Sequence, residues 1–406
     1  MRWGTVCVFP VPAPAERATV PNTLSRDTEK WYNAPEWESE HVNVVRRKVM
    51  AKMKVQNFYE PFVMKMEEHD IPEIADNEVL VNVKAVGICG SDVSYYFGHS
   101  PLGTATGKGP LYLGHEASGV VAKLGGIPER LGLFKAGDRV GINAVQQCNA
   151  CPACMRGEFN TCGNLEVLGV TVNGCFAEYV KVKYTHVYKI PDEVSFEAAA
   201  LAEPLACATH GIQRLDIQLG QTVVVYGLGG IGLMMVQLAK ASGAGKVIAI
   251  DVRDFSLEKA KQLGAAQIIN TLDKKSKYYA ESASAKVEEY NGGQKAPRCI
   301  VATSHMDALQ DALVVTGACS TIVYFGLPSP EDRLQVPVLE AIQSERTIKF
   351  SWLAPLVWDN VFAAVASGQV NVEPIITHRF TLAEAEAGVK FMGDSKEDKI
   401  KGVVVI

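Results

Sequence analysis

Long apolar runs are missing from this chain: none of its 406 residues lies in an uninterrupted stretch of eighteen or more apolar residues. That excludes an ordinary membrane-spanning helix. A surplus of charge is missing too. Forty Lys and Arg stand against 45 Asp and Glu, a formal net charge of -5, and the basic residues are scattered rather than drawn into a stripe. Nucleic acid is therefore not a partner that the composition recommends. Cysteine is sparse and uneven, ten residues with four of them between positions 148 and 162. A secreted disulfide scaffold is excluded, and such crowding in a cytoplasmic protein reads as metal binding. A signal peptide is also poorly supported, because the apolar stretch 4–15 is broken by Pro10, Pro12 and Pro14, with Arg2 alone ahead of it.

What the chain does have is bulk. With 48% hydrophobic residues it can bury two cores, since single cores stop growing at roughly 250–300 residues. Residues 1–52 stand apart, with prolines at 10, 12, 14, 21 and 35, three tryptophans and the cluster Arg46, Arg47, Lys48. They read as a disordered extension outside the fold. Met50 and Met53 sit where a compact domain starts, so an upstream start in the gene model explains the extension, as does an organelle-addressing or interaction tail.

Residues 53–204 carry short Val-rich runs at 79–86, 119–122, 139–142 and 179–183, separated by Gly, Pro and Asp, the pattern of an antiparallel β-rich domain. From 205 to 346 strands alternate with helices: strands at 222–226, 246–250, 266–269, 299–302 and 321–325, with helices at 231–242 and 256–263, each closed by a glycine. A further strand at 347–350 makes six, which predicts an α/β fold with a doubly wound parallel sheet. The polar stretch 273–297 reads as an exposed helix and loop at the sheet edge. Residues 347–406, ending on an apolar strand, are expected to return to the first domain. There are no internal repeats.

Three groups of residues carry chemistry. The run Val223 to Tyr226 feeds a turn, Gly227, Leu228, Gly229, Gly230, Ile231, Gly232, which opens a helix. Gly227 permits the tight turn, Gly229 lets the backbone approach a pyrophosphate at the helix N-terminus, and Gly232 lets helix and strand pack closely. Asp251 ends the next strand, where a carboxylate accepts hydrogen bonds from an adenosine ribose and repels a 2′-phosphate. NAD is thus favoured over NADP, with Arg253 nearby as the counterweight. A glycine turn without a ligand is the bland alternative. The second group is Cys148, Cys151, Cys154 and Cys162, whose spacing closes a tetrahedron around a structural Zn²⁺ with no place left for water; an iron–sulfur cluster or free thiols are the competing readings. The third is dispersed: Cys89, His115, Glu116 and Glu203, a thiolate, an imidazole and carboxylates that suit zinc with one open position. Taken singly, each is more simply a buried small side chain, a core histidine or a solvated acid.

Together with their glycines these residues resemble the medium-chain zinc-dependent alcohol dehydrogenases, in particular the sorbitol and L-iditol (polyol) dehydrogenase branch. The resemblance runs from Met53 to Ile406. It is carried by Gly87-Ile-Cys89-Gly-Ser91-Asp92, Gly114-His115-Glu116-Ala-Ser-Gly119, the four-cysteine lobe, Ala202-Glu203-Pro204-Leu205, the glycine turn and Thr377-His378-Arg379-Phe380. It implies a GroES-like catalytic domain joined to a Rossmann coenzyme domain, with the active site in the cleft between them. Two zinc ions per chain are implied, one structural and one held by Cys89, His115 and Glu116, with Glu203 reaching the latter directly or through its water. It further implies that Asp92 holds the other nitrogen of His115, that Ser91 takes the alcohol's proton, that Tyr95 lines the substrate pocket, and that the chain forms a homodimer or homotetramer. The expected reaction is oxidation of a secondary alcohol, a polyol or vicinal diol, to a ketone by NAD. L-Threonine and 2,3-butanediol are competing substrates, and a non-catalytic redox sensor that keeps zinc and coenzyme fold is the reading from another class.

Two departures from the family stand out. Ser94 replaces a proton-relay histidine, leaving Ser94, a ribose hydroxyl or water as the exit. After the strand that begins near Thr347, where the polyol branch tends to carry an Arg-Tyr pair, this chain reads Phe350-Ser-Trp352-Leu-Ala. His99, His186, His210 and His305 have no partners at metal spacing and are expected to be surface or satisfied core residues. Cys175, Cys207, Cys299 and Cys319 read as core.

Overall fold

The computed structural model describes residues 51–100 and 109–406; the disordered-extension reading of 1–52 falls outside them except at 51–52, and Lys52 already opens a strand, Lys52–Glu60.

Strand Thr222–Tyr226 shows why the second half folds as it does. All five of its residues are buried, as a strand covered on both faces requires. Val223 and Val225 pack into one core with Leu233 and Val236 of helix Gly230–Ala241. Val224 and Tyr226 point into another, with Ile250, Val287 and Leu309. Around it lies a six-stranded parallel sheet in the order Gln267–Asn270, Lys246–Asp251, Thr222–Tyr226, Ala296–Val301, Thr316–Tyr324, Thr347–Phe350. The chain reverses its winding between Thr222–Tyr226 and Ala296–Val301, which is where doubly wound sheets bind ligands, beyond the carboxyl ends of the strands. Strand Thr347–Phe350 therefore stays in this sheet as its edge, and the return to the first sheet is made later, by Ile376–Thr381 and Lys401–Val405. Helix Ala283–Tyr290 is not wholly exposed, because Ala283, Ser284 and Val287 are buried against the sheet.

The β-rich half is built on a seven-stranded sheet. Its order is Val187–Lys189, Arg139–Ile142, Glu116–Leu124, Glu78–Gly87, Lys401–Val405, Ile376–Thr381, with Tyr179–Lys183 also pairing Glu78–Gly87. The core beneath it includes Val79, Val81, Val83, Ile142 and Phe176. A three-stranded sheet, Val63–Asp70, Lys52–Glu60 and Leu111–Tyr112, lies beside it. The order places the ends of Glu116–Leu124, Glu78–Gly87 and Lys401–Val405 side by side, with Gly87 opposite both Glu116 and Val403. That adjacency assembles the site.

Candidate active site and metal centres

Ligating atoms of Cys89, His115 and Glu116 lie within 4.8 Å of one another. Cys89 caps the N-terminus of helix Gly90–Tyr96, with its backbone N–H donating to Asp92 Oδ2 at 2.9 Å. The other Asp92 oxygen accepts from Gly114 N–H at 3.0 Å, fixing the turn that presents His115. Gly114 sits at φ 81°, in the left-handed region that favours glycine. Glu116 is the first residue of its strand, and its carboxylate crosses Gly87 so closely that a Cβ there would lie 2.0 Å from Oε2. Gly87 is thus required by the carboxylate's position.

Asp92 was expected to grip the imidazole itself. Its oxygens each accept from a backbone N–H, and His115 Nδ1 lies 3.8 Å from Oδ1, close enough for charge attraction but beyond hydrogen bonding. Glu203 lies outside the three-residue cluster, with its Oε1 accepting from Cys207 Sγ at 3.7 Å, one turn along helix Ala202–Leu215.

Sequence reasoning missed Lys401. Its Nζ lies 2.6 Å from the Glu116 carboxylate, and both side chains are buried. The signal was there, a single charge opening the closing apolar strand, but its partner is 285 positions away. Burial opposes the charge on Lys401, and Glu116 overrides that to raise its pKa. Burial likewise pushes His115 down, yet the Cys89 thiolate and the Asp92 carboxylate beside it lift it well above its usual value. Burial pushes Glu203 up to about 7. A pocket that crowds a thiol, an imidazole and three buried carboxyl groups is chemically suited to a divalent cation.

This cluster opens into a cavity of about 650 Å³ that also reaches Gly230, Ile231 and Met234 at the start of the coenzyme helix, and Phe325, Trp352 and Leu353. Ser91, Tyr95 and Glu203 line it, as does Cys207, which is therefore a cavity residue as well as a buried one. Ser94 lies behind the cavity wall, and its hydroxyl donates to Gly90 O at 2.9 Å. A role for Ser94 in proton exit would cost that bond. Among the spare cysteines Cys319 was misplaced, since it is exposed at φ 52°. His186 is a satisfied core residue, held by Gln147 at 2.8 Å and Thr185 at 2.9 Å.

At the glycine turn Gly227 has φ 80°. A Cβ on Gly232 would come within 1.8 Å of Gly227 O, whereas one on Gly229 would meet nothing within 4 Å. The turn is thus closed where helix meets strand and open above Gly229, the shape of a phosphate cradle. Asp251 buttresses it: Leu228 N–H donates to Oδ2 at 2.6 Å, and Val252 and Arg253 N–H donate to Oδ1 at 2.8 and 2.9 Å. The Arg253 guanidinium is engaged by Ser256 Oγ and the Lys399 carbonyl.

In the outlying lobe the four thiols form a compact group, with Sγ–Sγ separations of 3.5, 3.6, 3.7 and 4.0 Å. A tetrahedron with Zn–S of about 2.3 Å has edges of about 3.8 Å. Backbone N–H groups of Ala150 and Cys151 point at Cys148 and bring its pKa down to about 6. The group fits zinc as it stands.

A β-rich lobe carrying a thiolate, imidazole and carboxylate beside a coenzyme sheet defines a two-domain, metal-dependent oxidoreductase. Comparison with known proteins makes the class specific. Residues 75–192 match the alcohol dehydrogenase GroES-like domain and residues 230–367 the zinc-binding dehydrogenase domain, and the chain belongs to this zinc-binding alcohol dehydrogenase family. It is 31% identical to a sorbitol dehydrogenase of Bacillus subtilis over 88% of this chain and 98% of that one. It is 34% identical to the sorbitol dehydrogenase of Bos taurus over 83% and 93%. Among solved structures, an alcohol dehydrogenase from Escherichia coli CFT073 complexed with NADH superposes with a TM-score of 0.79 at 29% identity, covering 87% of this chain and 99% of that one.

Proposed function

We propose that this protein oxidises a secondary alcohol of a polyol or vicinal diol to a ketone, with NAD as hydride acceptor. The observation that carries the reading is that the cluster of Cys89, His115 and Glu116 shares one cavity with the start of the coenzyme helix. The two sorbitol dehydrogenases support the alcohol class, and the NADH complex supports the coenzyme. Cys89, His115 and Glu116 would hold a zinc ion, which would supply Lewis acidity toward an alcohol, and Cys148, Cys151, Cys154 and Cys162 would hold a structural one. Ser91 receives the substrate's hydroxyl proton, Tyr95 shapes the wall, and Glu203, whose pKa burial raises to about 7, orders water beside the cluster. Gly229, Gly230, Ile231 and Gly232 seat the pyrophosphate, with Gly227 making the turn. Asp251, although it already accepts three N–H bonds, keeps lone pairs for ribose hydroxyls.

The test is metal content together with NADH formation across sorbitol, xylitol, threitol, 2,3-butanediol and L-threonine. Two zinc ions per chain with turnover support the enzyme; one zinc and no turnover would mark a redox sensor. Asp251→Ser is expected to raise the KM for NAD by about tenfold or more, the loss of a charged hydrogen bond. Because the substitution also frees Leu228 N–H, both coenzymes should weaken. The diagnostic is a rise in NADP use relative to NAD, and an unchanged ratio would remove Asp251 from coenzyme choice.

A homo-oligomer is also proposed. Strand Thr347–Phe350 is the edge of the parallel sheet, and Phe350, Val338, Leu339 and Ile342 near it are all more than 60% exposed, an apolar edge of the kind proteins cover. None of the described cysteines is paired in a disulfide, in keeping with a cytoplasmic location.

A further inference from the structure

Among the described residues, the substrate cavity is apolar where a polyol would need partners. Beyond the metal cluster its wall is made by Val93, Leu165, Val170, Phe325, Trp352 and Leu353. Hydroxyl-binding groups in the described lining are few. Thr171 Oγ1 already accepts from Val167 N–H at 2.7 Å, Lys401 is held by Glu116, and Ser91 is reserved for the reacting proton. That leaves Glu203, since the Tyr95 hydroxyl is buried and only its ring faces the cavity; one carboxyl serves one further hydroxyl beside the carbinol. The wall is also fixed. Trp352 O accepts from Asn160 Nδ2 at 2.9 Å, Ser351 N–H donates to Tyr324 O at 2.9 Å, and Leu353 is held at φ 54°, where a non-glycine residue rests only under constraint.

From this the structure assigns the substrate as a vicinal diol, or a secondary alcohol, that carries an apolar alkyl or aryl arm, rather than a linear polyol. The assignment rests on the dehydrogenase reading above. The carbinol C–H leaves with its electron pair to NAD and the O–H proton leaves to solvent, giving ketone, NADH and a proton. The arm lies against Trp352 and Leu353. Each additional polyol hydroxyl placed there would lose water without a partner, a cost equivalent to about tenfold in affinity, whereas each added methylene gains about fourfold.

The experiment compares kcat/KM of the zinc-loaded enzyme with NAD for 1,2-butanediol, 1,2-pentanediol, 1,2-hexanediol, 1-phenyl-1,2-ethanediol, xylitol and sorbitol. Calorimetric titration of the same ligands is the second readout. Expected are a rise of about fourfold per methylene, phenylethanediol at least about tenfold better than xylitol, and binding with a negative heat-capacity change. Trp352→Arg should flatten the alkanediol series and raise xylitol. A flat series with xylitol or sorbitol preferred overturns the assignment while leaving NAD reduction, and so the dehydrogenase reading, intact. No NADH from any of the alcohols, in protein with both metal sites filled, overturns the dehydrogenase reading and the assignment with it.

Discussion

Cys89→Ser is expected to lower kcat/KM by at least about a thousandfold and to reduce zinc from two ions per chain to one. Removing an outlying partner of a metal ligand already costs 10–100-fold, and Cys89 is the soft donor of the cluster itself. A thousandfold corresponds to about 4 kcal/mol, an ordinary share for a Lewis acid stabilising alkoxide charge. The substitution should leave the fold intact, because Asp92 still caps the Cys89 N–H and a serine hydroxyl can accept from the Asp92 N–H in place of the sulfur. Metal analysis beside steady-state kinetics separates the outcomes: lost zinc and lost turnover with an unchanged melting transition supports the assignment, and two retained zinc ions with full turnover removes Cys89 from the site.

How much of this was legible in the chain depends on how far apart the partners lie. The parallel sheet could be read because each strand advertises itself locally, as Val223 to Tyr226 does with a continuous apolar run before a glycine turn. The four thiols could be read because their ligand spacing lies within fifteen positions. Lys401 could not, since its meaning comes from strand order: Lys401–Val405 docks beside Glu78–Gly87 and brings an ammonium to Glu116. The same holds for Asp92, whose oxygens are claimed by the Cys89 and Gly114 backbones once the helix and the turn meet. Strand Thr347–Phe350 could be counted as the sixth strand of the parallel sheet, but the strands that carry the chain back to the first sheet, Ile376–Thr381 and Lys401–Val405, are set by pairing partners, a tertiary property. Cys207 looked like core from its apolar neighbours, and only the helical turn that sets it beside Glu203 shows it at the cavity.

Cys154→Ser should act elsewhere, and its largest effect should be structural. The lobe from Cys148 to Cys162 has one short helix, Pro152–Met155, and a turn of 3₁₀ helix, Phe159–Thr161. Its buried side chains are chiefly the thiols Cys154 and Cys162, while Met155 is exposed. With so little apolar area to bury, the lobe depends on its ion, and structural zinc contributes about 10–16 kcal/mol in small zinc folds. Loss of that ion is therefore expected to open the lobe locally rather than to unfold the two cores. Limited proteolysis should cut between 148 and 162, hydrogen exchange there should lose its protection, and the melting temperature should fall by several degrees. The opening also removes the Asn160 bond to Trp352 O, so the wall that meets the substrate's apolar arm loosens and the KM for alkanediols rises more than kcat falls. A zinc-free lobe that stays protected from protease would show instead that its loops are held by their own hydrogen bonds.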